Sequence, residues 1–389
     1  MFFLQVIIGV LLIGSWTYSV MTVVAVYRYL KRRPRLLRRE VAVSVLKPLS
    51  GIEEDLETNL RSFFRQDYKE FEIIFAVRHS DDLALDIVHR LEKEFPSIPC
   101  RILATGESPY PNAKVYSLDK MIKASRHDLL VMSDSDIRVE QDMLKVVVAE
   151  FEDEKIDLVT CPYRAVPSHS FWSRLEAIGL NTEFLAGLLV ARLVEGVRFA
   201  VGPTIVVRKK LIEDLGGFSR FGSYLAEDFA LGRLASEQGY GVELSYYRVD
   251  HYIAGRARNG NRARCCGEWI DNVKHRLRWA RSTRCSRRWG YLGQAFTYPL
   301  PWSLVAAAML PWETMELLGL TALLRAVAVW AVAWAVLHDS LTRWNFWLVP
   351  LQDLMGWILW FFGFFGNRIE WRDRAYRLLA DGRFELIEK

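Results

Sequence analysis

The feature that most limits how this chain folds is the stretch from Phe2 to Tyr29, FFLQVIIGVLLIGSWTYSVMTVVAVYRY, which carries one arginine near its end and no acid. Lipid offers a backbone no hydrogen bonds, so a segment that enters it must satisfy its own, as a helix does. A helix of this length crosses a hydrocarbon core of about 30 Å. A cleaved secretion signal would show a basic start, a shorter apolar core and a small-residue cleavage site. None of the three is present, so the stretch is read as an uncleaved anchor. Lys31, Arg32, Arg33, Arg35, Arg38 and Arg39 come directly after it. Basic residues beside a span favour the cytoplasmic side, which places the next domain in the cytosol.

Apolar density returns near residue 295. TMELLGLTALLRAVAVWAVAWAVL (314–337) and WNFWLVPLQDLMGWILWFFGFFG (344–366) have the length of spans, whereas AFTYPLPWSLVAAAMLP (295–311) is short and broken by prolines, and is expected to re-enter or lie at the interface. Arg368, Arg372, Arg374 and Arg377 place the tail in the cytosol too, so an even number of crossings separates it from the large domain. Arg325, Gln352 and Asp353 lie inside these apolar segments, where polar groups are costly unless they face protein or water. They are read either as packing contacts or as groups near a lipid headgroup. The expected organisation is an anchor over 1–32, a cytosolic domain over 33–290 ending in a basic interfacial helix, a membrane region over 291–366 and a cytosolic tail over 367–389. That describes an integral membrane protein, assigned to a bacterial inner membrane.

The formal net charge of +5 comes largely from basic clusters beside the membrane, at 31–39 and from Lys274 to Arg288. Such placement suits anionic lipid headgroups and argues against nucleic acid as the partner. The 5 cysteines, Cys100, Cys161, Cys265, Cys266 and Cys285, form no CxxC pair and an odd total, so neither a disulfide framework nor a zinc site is indicated.

Between anchor and later spans, strand-like and helix-like patterns alternate. VAVSVLKPL, FEIIFAV, CRILATG and DLLVMS read as strands, separated by the amphipathic runs DLETNLRSFFRQ, LALDIVHRLEKEF and SLDKMIKAS. This order implies an α/β domain with a mostly parallel, Rossmann-like sheet. Ligands bind such sheets beyond the carboxyl ends of the strands. Those ends carry Lys47, the pair Asp81 and Asp82, and then Asp134 and Asp136. Residues two apart on an extended chain face the same way, so Asp134 and Asp136 share a space from which Ser135 points away. Two carboxylates held together repel unless a cation sits between them or one takes a proton. A hard divalent ion that fills its remaining positions with phosphate oxygens meets that need.

LKPLSGIEEDLETNLRSFFRQDY, VRHSDDLALDIV, PNAKVYSL, SDSDIRV, YLAEDFALG and HRLRWARSTR, in this order and with the closing WRDRAYRL, resemble the ceramide glucosyltransferase family of nucleotide-sugar glycosyltransferases. The resemblance implies a GT-A type fold. It implies that Lys47, Pro48 and Asp82 hold the uracil and ribose of a UDP-sugar and that Lys114 lies near the diphosphate. Asp134 and Asp136 would then hold Mg²⁺ or Mn²⁺, and Asp228, beside Glu227, would be the base that deprotonates the acceptor. The implied reaction moves a hexose, glucose from UDP-glucose, with inversion onto a hydroxyl of a ceramide-like membrane lipid.

The chemistry asks for the same groups. A hydroxyl is a poor nucleophile, so a carboxylate must take its proton as it attacks the anomeric carbon. Without the resemblance, Glu227 and Asp228 would be read as acids complementing a helix N-terminus. His275, Arg278 and Trp279 share one helix face and are assigned to the donor, although an interfacial helix on lipid headgroups explains the neighbouring arginines equally well. The motif begins with His275, as in bacterial relatives that glycosylate hopanoids, and so N-acetylglucosamine transfer to a hopanoid stays open. A processive polysaccharide synthase shares the acidic motifs but needs a channel for which these spans supply little. His79, His89, His127 and His169 show no ligand spacing and read as surface or turn residues, and His251 is set with them.

Overall fold

The computed structural model describes residues 2–253, 265–309, 314–371 and 374–387. Its centre is a seven-stranded sheet built from β1 (Val43–Pro48), β2 (Phe71–Val77), β3 (Cys100–Ala104), β4 (Leu129–Ser133), β6 (Leu158–Thr160), β8 (Thr204–Arg208) and β9 (Val242–Leu244). Across the sheet the order is β3-β2-β1-β4-β8-β6-β9. Every pairing is parallel except those of β8, which runs against both β4 and β6. β2 and β4 are buried along their whole length and apolar except for Glu72 and Ser133, as strands covered on both faces tend to be. Alternate residues serve opposite cores. Val45, Ile73 and Val131 meet the helices Leu56–Phe64 and Ala84–Glu94, while Leu46, Ile74 and Leu130 meet Ala113–Ala124.

A second sheet sits where the chain leaves β4. It consists of β5 (Ile137–Arg138), β7 (Tyr163–Val166) and β10 (Val249–Tyr252), with β10 in the middle, and its register sets His251 beside Ile137 and Ala165. A third, antiparallel sheet of β11 (Arg368–Trp371), β12 (Arg374–Leu378) and β13 (Phe384–Leu386) is built by the closing WRDRAYRL and the residues on either side of it. It docks on the loop that leads to Glu227. The Phe384 amide donates to the Ser223 carbonyl at 2.8 Å and the Leu225 amide to the Gly382 carbonyl at 3.4 Å.

Among the described residues, 4 helices are long and apolar enough to cross a membrane: Phe2–Leu30, Phe171–Glu195, Met315–Val336 and Phe346–Gly363. Phe171–Glu195 was not anticipated, because Arg174, Glu176, Glu183 and Arg192 interrupt its apolar run. It connects β7 to β8 and forms a bed between sheet and bundle. Leu185, Ala186 and Leu189 pack on Ala25, Val26 and Tyr29 and on Val332 and Val336, and Leu175 and Ile178 pack on Val349 and Leu359.

The remaining helices reveal their directions through their contacts. Ile8 and Leu12 meet Ala306 at one end of the bundle, while Ala25 and Val26 meet Ala331 and Val332 at the other. Phe2–Leu30 and Met315–Val336 therefore run the same way, and the short apolar helix Pro299–Met309 climbs to the start of the second. The segment expected to span at 344–366 contains the helix Phe346–Gly363, which packs along a neighbouring helix. Arg276 donates to Gln352 at 3.0 Å, Gly363 abuts Ala280, and Arg281 donates to the Phe365 carbonyl at 3.1 Å. Both ends of Val349–Gly363 thus rest on one helix, Cys265–Ser286.

Arg325 and Asp353, left open between packing and a headgroup role, bind each other in a two-pronged pair at 2.8 and 2.6 Å, both buried. Cys100, Cys161 and Cys285 are free thiols. The side chains of Cys265, Cys266 and Arg372 lie outside the described residues.

Candidate active site

The strand ends converge as the sheet rule requires. One cleft is lined by Pro48, Lys114, Asp134, Gly202, Glu227 and Asp228, together with apolar residues of the second core. Lys114 sits in the first turn of Ala113–Ala124 because Asn112 caps that helix, accepting from the Lys114 and Val115 amides at 3.1 and 3.4 Å. Asn112 also donates to Glu227 at 3.0 Å, so a single side chain ties the Lys114 helix to the helix that carries the acids. Nothing in the residue pattern had marked Asn112 beyond its place as the first residue of NAK, yet an asparagine one residue ahead of a helical run is a capping signal.

Lys114 bridges the two acidic segments, with Nζ at 2.6 Å from Asp134 and 3.2 Å from Glu227. Burial works against its charge, but Asp134 and Glu227 outweigh burial and hold its pKa above the ordinary lysine value. Asp228 opens the helix Glu227–Glu237. Burial first, and the neighbouring Glu227 charge second, push its carboxyl up to about 7. A Cβ on Gly202 would lie 3.0 Å from Asp228 Oδ2 and 3.7 Å from Lys114 Nζ, so glycine there keeps the space in front of the carboxylate open.

Asp136 leaves β4 toward the small sheet and meets His251 Nε2 at 3.1 Å. Although burial opposes both charges, each holds the other ionised: the imidazole is raised and the carboxyl lowered from their usual values. The second oxygen of Asp136, Oδ1, is buried with no partner among the described residues, and so is His251 Nδ1. A buried carboxylate oxygen without a donor is costly, and a cation would relieve it. Asp134 and Asp136 are of the type that ligates Mg²⁺ or Mn²⁺. Among the described residues, no three His, Cys, Asp or Glu side chains are already drawn together as a closed metal cluster. His251, grouped with turn histidines on sequence grounds, is instead the ion partner of Asp136.

The other expected site residues occupy distinct places. Lys47 is fully buried under the turn that carries Asp134, with Nζ 3.4 Å from Ser133 Oγ, bonded to the Asp134 carbonyl, and 3.9 Å from the Phe63 ring centroid. That burial draws its pKa down to about 7. Asp82 accepts from the Gly51 amide at 3.1 Å and the Ala84 amide at 2.9 Å, and so pins the loop after β1 to the next helix. His275 turns to Glu176 at 2.8 Å, Trp279 packs on Phe184, and Arg278 lies over the Trp371 ring at 6.0 Å. None of these three is among the residues that line the cleft.

The family described as Glycosyl transferase family 21 matches residues 6–384. Ceramide glucosyltransferase 1 of Caenorhabditis elegans is 32% identical over 205 residues, which are 52% of this chain and 44% of that protein. The ceramide glucosyltransferase of Komagataella phaffii is 31% identical over 135 residues, 31% of this chain and 26% of that protein. The matched stretches span less than half the length of these relatives. Among solved structures, the mannosyltransferase PcManGT from Pyrobaculum calidifontis, in complex with GDP-Man and Mn²⁺, aligns over 91% of this chain and 98% of its own with a TM-score of 0.52 at 16% identity. At that identity the likeness speaks to the fold, which is GT-A.

Proposed function

The chain belongs to glycosyl transferase family 21, and from that premise we propose that it moves a hexose from a UDP-sugar, UDP-glucose in the first instance, onto a hydroxyl of a ceramide-like membrane lipid with inversion at the anomeric carbon. The observation that carries this reading is Asp228, a half-buried carboxyl raised to about 7 in a cleft shared with Lys114 and Asp134. At neutral pH such a group is about half ionised, and its ionised form is basic enough to take a proton, which suits a general base.

In the proposed reaction the acceptor oxygen forms its bond to the anomeric carbon as its proton passes to Asp228. The bond from that carbon to the diphosphate oxygen breaks on the opposite face, and UDP leaves with the electron pair. Lys114 places a positive charge where the diphosphate charge builds up. Pro48 closes the cleft floor beneath the donor, while Lys47 and Asp82 act behind it by holding the Asp134 turn and the Gly51 loop. Asp134 and Asp136 would hold a divalent ion, which would supply further charge neutralisation to the diphosphate, with His251 orienting Asp136 from behind.

We further propose that the chain crosses the membrane at 2–30, at a proline-broken arm ending in Pro299–Met309, and at 315–336, with 346–363 lying along the cytosolic face against Cys265–Ser286. Catalytic domain and tail then both face the cytosol of a bacterial inner membrane, in agreement with their arginines. The test is mass spectrometry of lipid extracts from a host with and without the protein. A new hexosylated lipid supports the reading, and an unchanged glycolipid profile with added UDP-glucose and ceramide counts against it.

A further inference from the structure

Two helices beside the cleft, Phe171–Gly179 and Cys265–Ser286, meet in successive rungs. The first rung is aromatic, with the Trp172 and Trp269 ring centroids 4.6 Å apart and Phe171 edge-on to Trp172 at 5.2 Å. It faces outward: Phe171, Trp269 and Ile270 are 41%, 39% and 50% exposed, large apolar groups at a place where the chain meets its membrane bundle. Aromatic residues in such a position favour the boundary between headgroups and acyl chains.

The second rung is polar, with Asn272 buried and Glu176 and His275 partly so. Asn272 Nδ2 donates to Glu176 Oε2 at 2.7 Å, and His275 Nδ1 lies 2.8 Å from Glu176 Oε1. Asn272 is only 6% exposed, and its Oδ1 has no partner among the described residues. An amide oxygen left bare inside a protein costs about 1–3 kcal/mol unless something donates to it. The rung also adjoins the reaction centre. Tyr163 stands edge-on to His251 at 5.4 Å and packs on Phe184, which meets Trp279, and Trp279 in turn meets His275 of the rung. A chain of ring contacts therefore joins the polar rung to the Asp136–His251 pair.

We propose that Glu176, Asn272 and His275 form the headgroup subsite for the lipid acceptor, with Phe171, Trp172 and Trp269 holding the root of its chains. The atom of the rung left without a partner among the described residues, Asn272 Oδ1, is an acceptor, so the matching head brings a donor. It carries at least one O–H or N–H besides the hydroxyl that is glycosylated, as an amide alcohol or a polyol lipid does and a diacylglycerol does not. This assignment rests on the lipid-transferase reading given above and moves His275 from the donor to the acceptor.

The test uses the full chain in nanodiscs, with brominated short-chain ceramide and brominated short-chain diacylglycerol as quenchers of tryptophan fluorescence, and UDP binding measured separately by calorimetry. Wild type binds the ceramide at least about tenfold more tightly, the loss expected for one buried acceptor left without its donor. Glu176→Gln and Asn272→Leu each bring the two lipids to within about twofold while Tm and UDP affinity hold. An unchanged lipid preference in both variants overturns the subsite. Loss of UDP binding at unchanged Tm also overturns it, because the rung would then serve the donor. A wild type that discriminates between the lipids but glycosylates neither would refute the transferase reading and leave the subsite standing.

Discussion

Gly202→Ala is the substitution whose effect the geometry specifies most closely. The added Cβ would meet Asp228 Oδ2 at 3.0 Å and Lys114 Nζ at 3.7 Å. Ordinary contact begins near 3.4 Å, so the carboxylate must retreat by about 0.4 Å while the lysine hardly feels the change. Misplacing a reacting group by 1 Å costs roughly a hundredfold in rate. A shift of about 0.4 Å therefore predicts a fall in kcat on the order of tenfold, with KM for the UDP-sugar nearly unchanged because Lys114 keeps its place. Steady-state kinetics in nanodiscs with both substrates varied, alongside Tm, would read this directly. A kcat within about twofold of wild type at unchanged Tm would refute the claim that Gly202 clears the space before the base.

The same structure sets further expectations. The pKa of Asp228 lies near 7, raised above that of a free carboxyl, and a base works only when deprotonated, so kcat/KM should fall as pH drops through about 7; a limb near 4 would argue for another base. Asp136→Ala should abolish the dependence of UDP-sugar binding on Mg²⁺ or Mn²⁺, seen by calorimetry with and without EDTA, and a wild type indifferent to EDTA would remove the metal from the account. Arg325→Leu strands the buried Asp353 charge and should cost about 3–5 kcal/mol of stability, while the double replacement with Asp353→Leu recovers most of it in thermal unfolding. Equal losses in the single and double variants would mean that the pair carries no coupling.

The strands were legible because each is an apolar run ended by a polar residue, and the sheet rule then carried Lys47, Asp82 and Asp134 to one edge. What such reasoning could not supply is depth. Lys47 and Asp134 end neighbouring strands, yet one is sealed beneath the turn and the other opens into the cleft, a difference made by the Phe63 ring and the Ser133 hydroxyl around Lys47. His251 was unreadable for a different reason. Its partner Asp136 is 115 positions away, and only the pairing of β10 with β5 brings them together. The membrane side divided in the same way. Phe2–Leu30 announces itself through uninterrupted apolar residues, whereas the acids of Phe171–Glu195 mask a helix whose charged groups are satisfied by Asn272, His275 and Tyr298 from distant parts of the chain.

The role given to Asp228 bears most of the weight, and a single comparison tests it. Asp228→Asn keeps the shape of the side chain and removes its basicity. Calorimetry should find UDP-sugar affinity within about twofold of wild type, while turnover with the lipid acceptor falls by about a hundredfold or more, the contribution typical of a positioned general base. Turnover within a few-fold of wild type at unchanged donor affinity would contradict the account and require the proton to go elsewhere.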